Sequence, residues 1–443
     1  NFTNKELLSI FNNLTIIDLM AMKNYLCLSS SNIKDELNIY IYTKDKNQIL
    51  DAVYHLSHAK DVTDFRKNCE LIHAPGLNVM YGDANGNISW TATGKLYKMP
   101  KNVNPNFILD GSNSEDDKKE FLDFSKNPSA LNPSWNYVYS SNNQPEAVDG
   151  YLYPGYYLPK DRAQRIVNLL EPKNNWTSTD VQKMILDNTS SRSSFIVSKV
   201  LAEISTKNQS ETFKKAYEIL GNWNGSNNLN DIAPTIYNKF LYRYLENTFE
   251  DELGSEKFSA MLSTHFVKQM IENQISNETS VWWDNLATKN KKETRKEILT
   301  KSFLETISEL EEQLGNDVSK WTWYKVHTLE HQHPIGKVKA LAPLFNVGKF
   351  EVAGSNEVIN NLMFGFSSNG KYEVKAGPST RRIIDFSDVE NSVSILPTGN
   401  SGNPMSKHYN DQAKMYNEGK FRKMKLNKKE IIESSTKLVF VAK

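Results

Sequence analysis

The order of elements along this sequence predicts an α+β protein. Strand-like segments come first, a helical stretch runs from Asp161 to about residue 320, and strand-like segments return before the C-terminus. Strands grouped apart from helices suit an α+β architecture, whereas a βαβ protein alternates them throughout. No internal repeat interrupts this order, and no run approaches the roughly 18 apolar residues that a membrane-spanning helix needs.

Residues 1–35 are polar and irregular, and their strongest apolar run, LTIIDLMAM, is short and carries Asp18, so it reads as neither a span nor a signal peptide. Glu36–Thr43 (ELNIYIYT) alternates apolar with polar or aromatic positions, as a half-buried strand does. NQILDAVYHLSHA places Ile49, Val53 and Leu56 at helical spacing, and DVTDFRKNCELI follows as a helix opened by an Asp cap. In GLNVMYGDANGNISWTATGKL, two β-prone runs, Leu77–Tyr81 and Ile88–Thr93, flank Asn85-Gly86, a pair suited to the positive φ angles of a tight hairpin turn. Asp110–Pro133 shifts to Ser, Asp, Lys and Asn and reads as a long solvated loop.

From Asp161 onward, DRAQRIVNLLE, Ser178–Asn188, NDIAPTIYNKFLYRYLENTFEDEL and KKETRKEILTKSFLETISELEEQL show apolar residues three and four apart with charges opposite, the pattern of a packed helical layer. Strands are expected again at Glu357–Phe366, Arg381–Phe386 and Ser392–Leu396, and in the terminal KLVFVA.

With 39% hydrophobic and 24% charged residues, the chain is long enough to bury a sizeable core. Its 53 basic and 52 acidic residues leave a net charge of +1, so no global field favours nucleic acid or an anionic membrane. The cysteines, Cys27 and Cys69, are too few for a disulfide scaffold; they read as two buried thiols, with a single bridge between them as the alternative.

His327, His331 and His333 in HTLEHQHP invite a metal reading, because histidines at i and i+4 share a helix face. Pro334 would end any such helix, no His-Glu-x-x-His is present, and packing beside Trp321 and Trp323 is the expectation. Glycine-rich phosphate loops and a Gly-x-Ser-x-Gly elbow are both missing from the sequence. What remains is asparagine chemistry. A side-chain amide in a dry cleft can donate to the oxyanion of a tetrahedral intermediate. Asn142 or Asn143, in the tyrosine-rich stretch that ends at Arg162, could serve, with the planar fork of Arg162 fixing the loop or the substrate.

The ordered strings HAPGLNVMYGDANGNISWTATGKL, SSNNQP, YPGYYLPKDRAQRI, NWNGSNNLND, GPSTRRIIDFSD and LPTGNSGNPMSKHYNDQAKMY together resemble the β-subunit of the penicillin acylase family, N-terminal-nucleophile hydrolases that cleave amide bonds. The resemblance covers residues 36–443, leaving 1–35 as a poorly matched segment. It implies that the chain forms part of a four-layered αββα fold with a large helical layer at about 161–320. It also implies a nucleophilic serine at the head of the β-chain, whose own α-amino group acts as base.

Matched along the loop, the family's oxyanion-hole asparagine and the arginine that follows it correspond to Asn142 and Arg162. Tyr153 and Tyr156 fall where they would wall the acyl pocket. Asp149 resembles a ligand to a structural calcium, a loop-capping Asp being the alternative, and no cofactor is implied for the chemistry. The family's β-chain opens with Ser-Asn-x-Trp; this chain opens on Asn1 and holds no internal copy. The expected partners are therefore an α-chain and the N-terminal β-segment of the same precursor. Without their strands the central sheet would expose edges, and the chain alone is expected to aggregate or to need that partner. The implied substrates are small N-acyl amides of the penicillin or acyl-homoserine-lactone type, and the implied location is periplasmic or extracellular. A catalytically inactive homologue that keeps the cleft as a binding module is the alternative.

Overall fold

The computed structural model describes residues 48–441 apart from 101–102, 105–108, 110–111, 113–114, 116–119 and 156. The expected strand at Glu36–Thr43, the segment 1–35, Cys27 and Tyr156 lie outside the described residues. The chain divides into two compact units, one reaching Ser140 and including Gln144–Tyr156, the other made of Ser141–Asn143 and Tyr157 onward.

The first unit opens with two short helices, α1 (Ile49–Ser57) and α2 (Val62–Asn68). Asp61 caps α2 as expected, its carboxylate accepting from the N–H groups of Thr63 and Asp64 and so satisfying two otherwise orphaned donors. Cys69 follows as a free, fully buried thiol, and burial pushes its pKa up to about 11. The hairpin forms where the sequence places it, β1 (Asn78–Gly82) running antiparallel to β2 (Ile88–Ala92) with Met80 opposite Trp90. Only Gly86 takes a positive φ, +85°, so the Asn85-Gly86 turn is corrected to a wider loop. Asp83 holds that loop, accepting from the backbone N–H groups of Asn85 and Asn87 and from the Asn87 amide, each at 2.9 Å.

The stretch 110–133 is not all loop. β3 (Tyr97–Lys98) pairs with β4 (Glu120–Phe121), and β5 (Ser129–Leu131) adds a third strand to the hairpin beside β2. Ser-Ala-Leu carries little intrinsic strand preference, and the free edge of β2 supplies the pairing that propensity does not.

The second unit is mostly helical from α3 (Asp161–Leu170) through α4 (Ser178–Ile185), α5 (Ser193–Leu201), α6 (Glu211–Gly221), α7 (Ala233–Leu262), α8 (Phe266–Ser276) and α9 (Arg295–Leu314). α4 and α9 begin at capping boxes, Thr177 with Asp180 and Thr294 with Glu297, each side chain satisfying the other's backbone N–H. α7 and α9 form the main helix pair, and their apolar faces meet α6 around Phe303, whose ring stands edge-on to Phe213 at 4.9 Å and packs on Phe240 at 6.2 Å. Phe303, Tyr244, Leu299 and Leu310 are fully enclosed there.

Two small sheets follow. β6 (His327–His331) lies between antiparallel β7 (Val347–Glu351) and parallel β8 (Tyr372–Glu373), while β10 (Val393–Ile395) lies between β9 (Arg381–Ile383) and β11 (Arg422–Lys423). Short helices α10 (Ala342–Phe345), α11 (Ala413–Asn417) and α12 (Lys428–Ser434) complete the unit. His327 and His331 therefore stand on a strand, not a helix. His327 is fully buried and stacked on Trp323 at 4.6 Å, its Nδ1–H donating to the Val352 carbonyl at 2.8 Å. Burial lowers its pKa to about 4, so the ring is neutral, and packing against Trp323 is what it does.

Two expected strands do not form. Glu357–Phe366 is broken at its first residue, because Glu357 holds φ at +56°, and only isolated bridges, such as Met363 to Ala376, remain. KLVFVA pairs with no strand among the described residues, and Phe440 is 89% exposed. β-prone residues become a strand only beside a partner.

Candidate functional site

The Ser141–Asn143 triplet carries the loop residues that the second unit holds. Ser141 is buried, and the Asn143 Oδ1 accepts from the Ser141 N–H at 3.3 Å and its hydroxyl at 3.1 Å, closing a tight local turn. Asn142 sits in the left-handed region at φ +65°, which Asn adopts more readily than residues with bulkier side chains. Its carbonyl accepts from the Leu158 N–H at 3.0 Å, tying the triplet to the approach of α3.

Arg162, in the first turn of α3, reaches back across this turn. One terminal nitrogen, Nη2, donates both to the Ser141 carbonyl at 2.6 Å and to Asn142 Oδ1 at 2.9 Å. A guanidinium only donates, so it selects the oxygen end of the amide and turns the Asn142 NH₂ away from itself. That NH₂ makes no hydrogen bond to any described residue, and Asn142 is exposed. Among the described residues, then, no dry cleft encloses it.

Behind Arg162 lies a buried ionic group that the sequence does not announce. Glu357, 7% exposed, puts Oε2 3.8 Å from Arg162 Nε, while its Oε1 accepts from Lys268 Nζ at 2.7 Å. Asp161 adjoins it, and desolvation, with Glu357 adding repulsion, pushes its carboxyl up to about 7 against the pull of Arg192. Arg192 is itself held by Glu272, Nε to Oε2 at 2.8 Å. A small cavity of about 70 Å³ opens here, lined by Asp161, Ser193, Tyr237, Asn238, Lys268 and Glu357. In the sequence Asp161 reads only as a helix opener and Glu357 as the start of a strand; neither burial nor positive φ at Glu357 has a local signature.

The other expected site residues fall in the first unit. The Tyr153 hydroxyl accepts from the Tyr97 N–H at 3.1 Å, its carbonyl accepts from the Gln144 amide at 3.1 Å, and its ring meets Tyr151 at 6.3 Å, so it braces its own loop. Asp149 is exposed and paired with Lys126, whose ammonium holds the carboxyl below its usual range. A calcium ion takes about 6 to 8 oxygen ligands, of which Asp149 could supply only part and only by leaving Lys126. Among the described residues, no group of three or more His, Cys, Asp or Glu is arranged to hold a metal.

The family model described as penicillin amidase matches residues 29–433. The chain belongs to the penicillin amidase family. Among its relatives, the acyl-homoserine lactone acylase QuiP of Pseudomonas aeruginosa is 24% identical over 413 residues, covering 85% of this chain and 48% of that protein. The penicillin G acylase of Escherichia coli is 24% identical over 380 residues, covering 77% of this chain and 42% of that protein. The chain thus spans about half the length of the curated relatives it matches. In three dimensions, a thermostable penicillin G acylase from Alcaligenes faecalis superposes with a TM-score of 0.58 at 17% identity, covering 89% of this chain and 73% of that one. That likeness bears out the expected mixed helix-and-sheet fold of the penicillin acylase kind.

Proposed function

We propose that the protein hydrolyses the amide bond of small N-acyl compounds of the acyl-homoserine-lactone or penicillin type, with Asn142 donating to the oxyanion. The observation that carries this reading is the Arg162 contact to Asn142 Oδ1, which leaves the amide NH₂ as the outward-facing donor. An oxyanion needs a donor whose orientation is fixed before the charge develops. Arg162 supplies that fixity from a helix, and the left-handed turn supplies the direction.

In the proposed reaction, a serine at the head of the mature β-chain attacks the carbonyl carbon, its proton passing to its own α-amino group. The Asn142 NH₂ hydrogen-bonds the oxygen as it becomes negative. Collapse breaks the C–N bond, the departing amine takes the proton from the α-ammonium, and water then resolves the acyl-serine ester. The reading places that serine on an N-terminal β-segment of the same precursor, with an α-chain as further partner. Export to the periplasm or beyond is part of this proposal. No step passes through calcium.

The test is Asn142→Ala in the complete gene product, assayed for amine release from a panel of aliphatic acyl-homoserine lactones and aromatic-acetyl amides. Loss of one oxyanion donor is expected to lower kcat about 100- to 1,000-fold with KM little changed. An Asn142→Ala protein that keeps wild-type kcat overturns the assignment. Wild-type protein inert on the whole panel is the outcome expected of an inactive homologue.

A further inference from the structure

We infer that Glu357 is a positioning residue for the Asn142–Arg162 pair, holding the guanidinium at the angle from which it orients the amide. The inference rests on the reading of Asn142 as the oxyanion donor and names what keeps that donor aligned.

Three observations lead to it. Arg162 Nε and Glu357 Oε2 are both buried, both lack a hydrogen-bond partner among the described residues, and lie 3.8 Å apart. A buried guanidinium N–H and a buried carboxylate oxygen without partners are each costly, and an approach of less than one ångström would satisfy both. Second, the guanidinium is asymmetrically engaged. Its Nη2 serves the Ser141 carbonyl and Asn142 Oδ1, which leaves the Nε edge as the lever that sets the rotation of the plane. A carboxylate against that edge fixes the rotation, because the planar fork transmits orientation as a point-charge ammonium cannot.

The third observation concerns the backbone. Glu357 occupies φ +56°, a conformation for which Gly, Asn or Asp is better suited than a longer side chain. A shorter acid there would not reach equally far toward Arg162 and Lys268 together. Lys268 on α8 anchors one carboxylate oxygen at 2.7 Å, which leaves the other facing the Arg162 guanidinium on α3 at 3.8 Å.

The alternative is that Glu357 only balances buried positive charge. The two roles differ in what happens when Asn142 is already gone. In the complete gene product, Glu357→Gln keeps the shape and removes the charge. If Glu357 acts through Arg162 on Asn142, kcat falls by about 10- to 100-fold, the scale on which a misplaced group slows catalysis, while KM stays within about threefold. In an Asn142→Ala background the same Glu357→Gln change lowers kcat by less than about twofold, since there is no amide left to align. Glu357→Asp restores the charge on a shorter stem and is expected to recover part of the kcat that Glu357→Gln loses; it also serves if the glutamine variant does not fold. Equal losses from Glu357→Gln in both backgrounds, or wild-type kcat in that variant, overturn the inference. If Asn142→Ala itself leaves kcat untouched, the oxyanion reading fails instead, and the two failures are told apart.

Discussion

Replacing Asp161 by Asn is expected to make the protein more stable at alkaline pH and to flatten its dependence on pH. In the fold, burial and the neighbouring Glu357 raise the Asp161 carboxyl to about 7, against an unfolded value of about 3.9. A raised carboxylate pKa means that the native state binds the proton more tightly than the unfolded chain. The penalty for ionising it is therefore absent below about pH 4, grows between about pH 4 and 7, and is complete above that. Three pH units at 1.36 kcal/mol each give at most about 4 kcal/mol, of which about 1.5 has appeared by pH 5. Relative to wild type, Asp161→Asn should thus gain up to about 3 kcal/mol more at pH 8 than at pH 5. Urea unfolding of both proteins at the two pH values measures this double difference, in which other titrating groups cancel. A wild-type-to-variant gap equal at both pH values would mean that Asp161 is already ionised at pH 5, held by Arg192, and the desolvation argument would fail.

Two further perturbations report on the second unit. Phe303→Ala empties the contact between α6, α7 and α9, where the ring is fully buried, and is expected to lower stability by about 3–5 kcal/mol in urea unfolding. His327 titrates with the opposite sign to Asp161. Its folded pKa near 4 lies below the unfolded value of about 6.5, so its contribution is complete above about pH 6.5 and is lost as pH falls toward 4, about 3 kcal/mol in all. His327→Asn keeps a donor for the Val352 carbonyl and should remove that acid sensitivity; thermal melts at pH 4.5 and 7 check it.

What could be read in the sequence was what short-range chemistry decides. The Asp61 cap and the β1–β2 hairpin each depend on residues within a few positions of one another. The proximity of Asn142 to Arg162 was legible differently, through ordered strings shared with a family, because nothing local says that a loop residue meets a helix residue twenty positions on. Glu357 escaped both routes. Its neighbours EVIN read as strand, and its role comes from Arg162 and Lys268, which are far away in sequence. β5 escaped for a related reason: Ser-Ala-Leu becomes a strand only because β2 offers an edge. KLVFVA shows the converse, strong strand propensity that pairs with nothing described, and HTLEHQHP shows that a spacing compatible with a helix face is equally compatible with a strand.

The left-handed turn at Asn142 also restricts which substitutions the position can survive. At φ +65° the backbone readily admits Gly, Asp and Asn and resists most other side chains. Gly would relax the chain but bring no donor, and Asp would set a negative charge where another is proposed to develop. Backbone shape and chemistry thus narrow the choice from opposite directions, and a single-step drift away from asparagine has no quiet route.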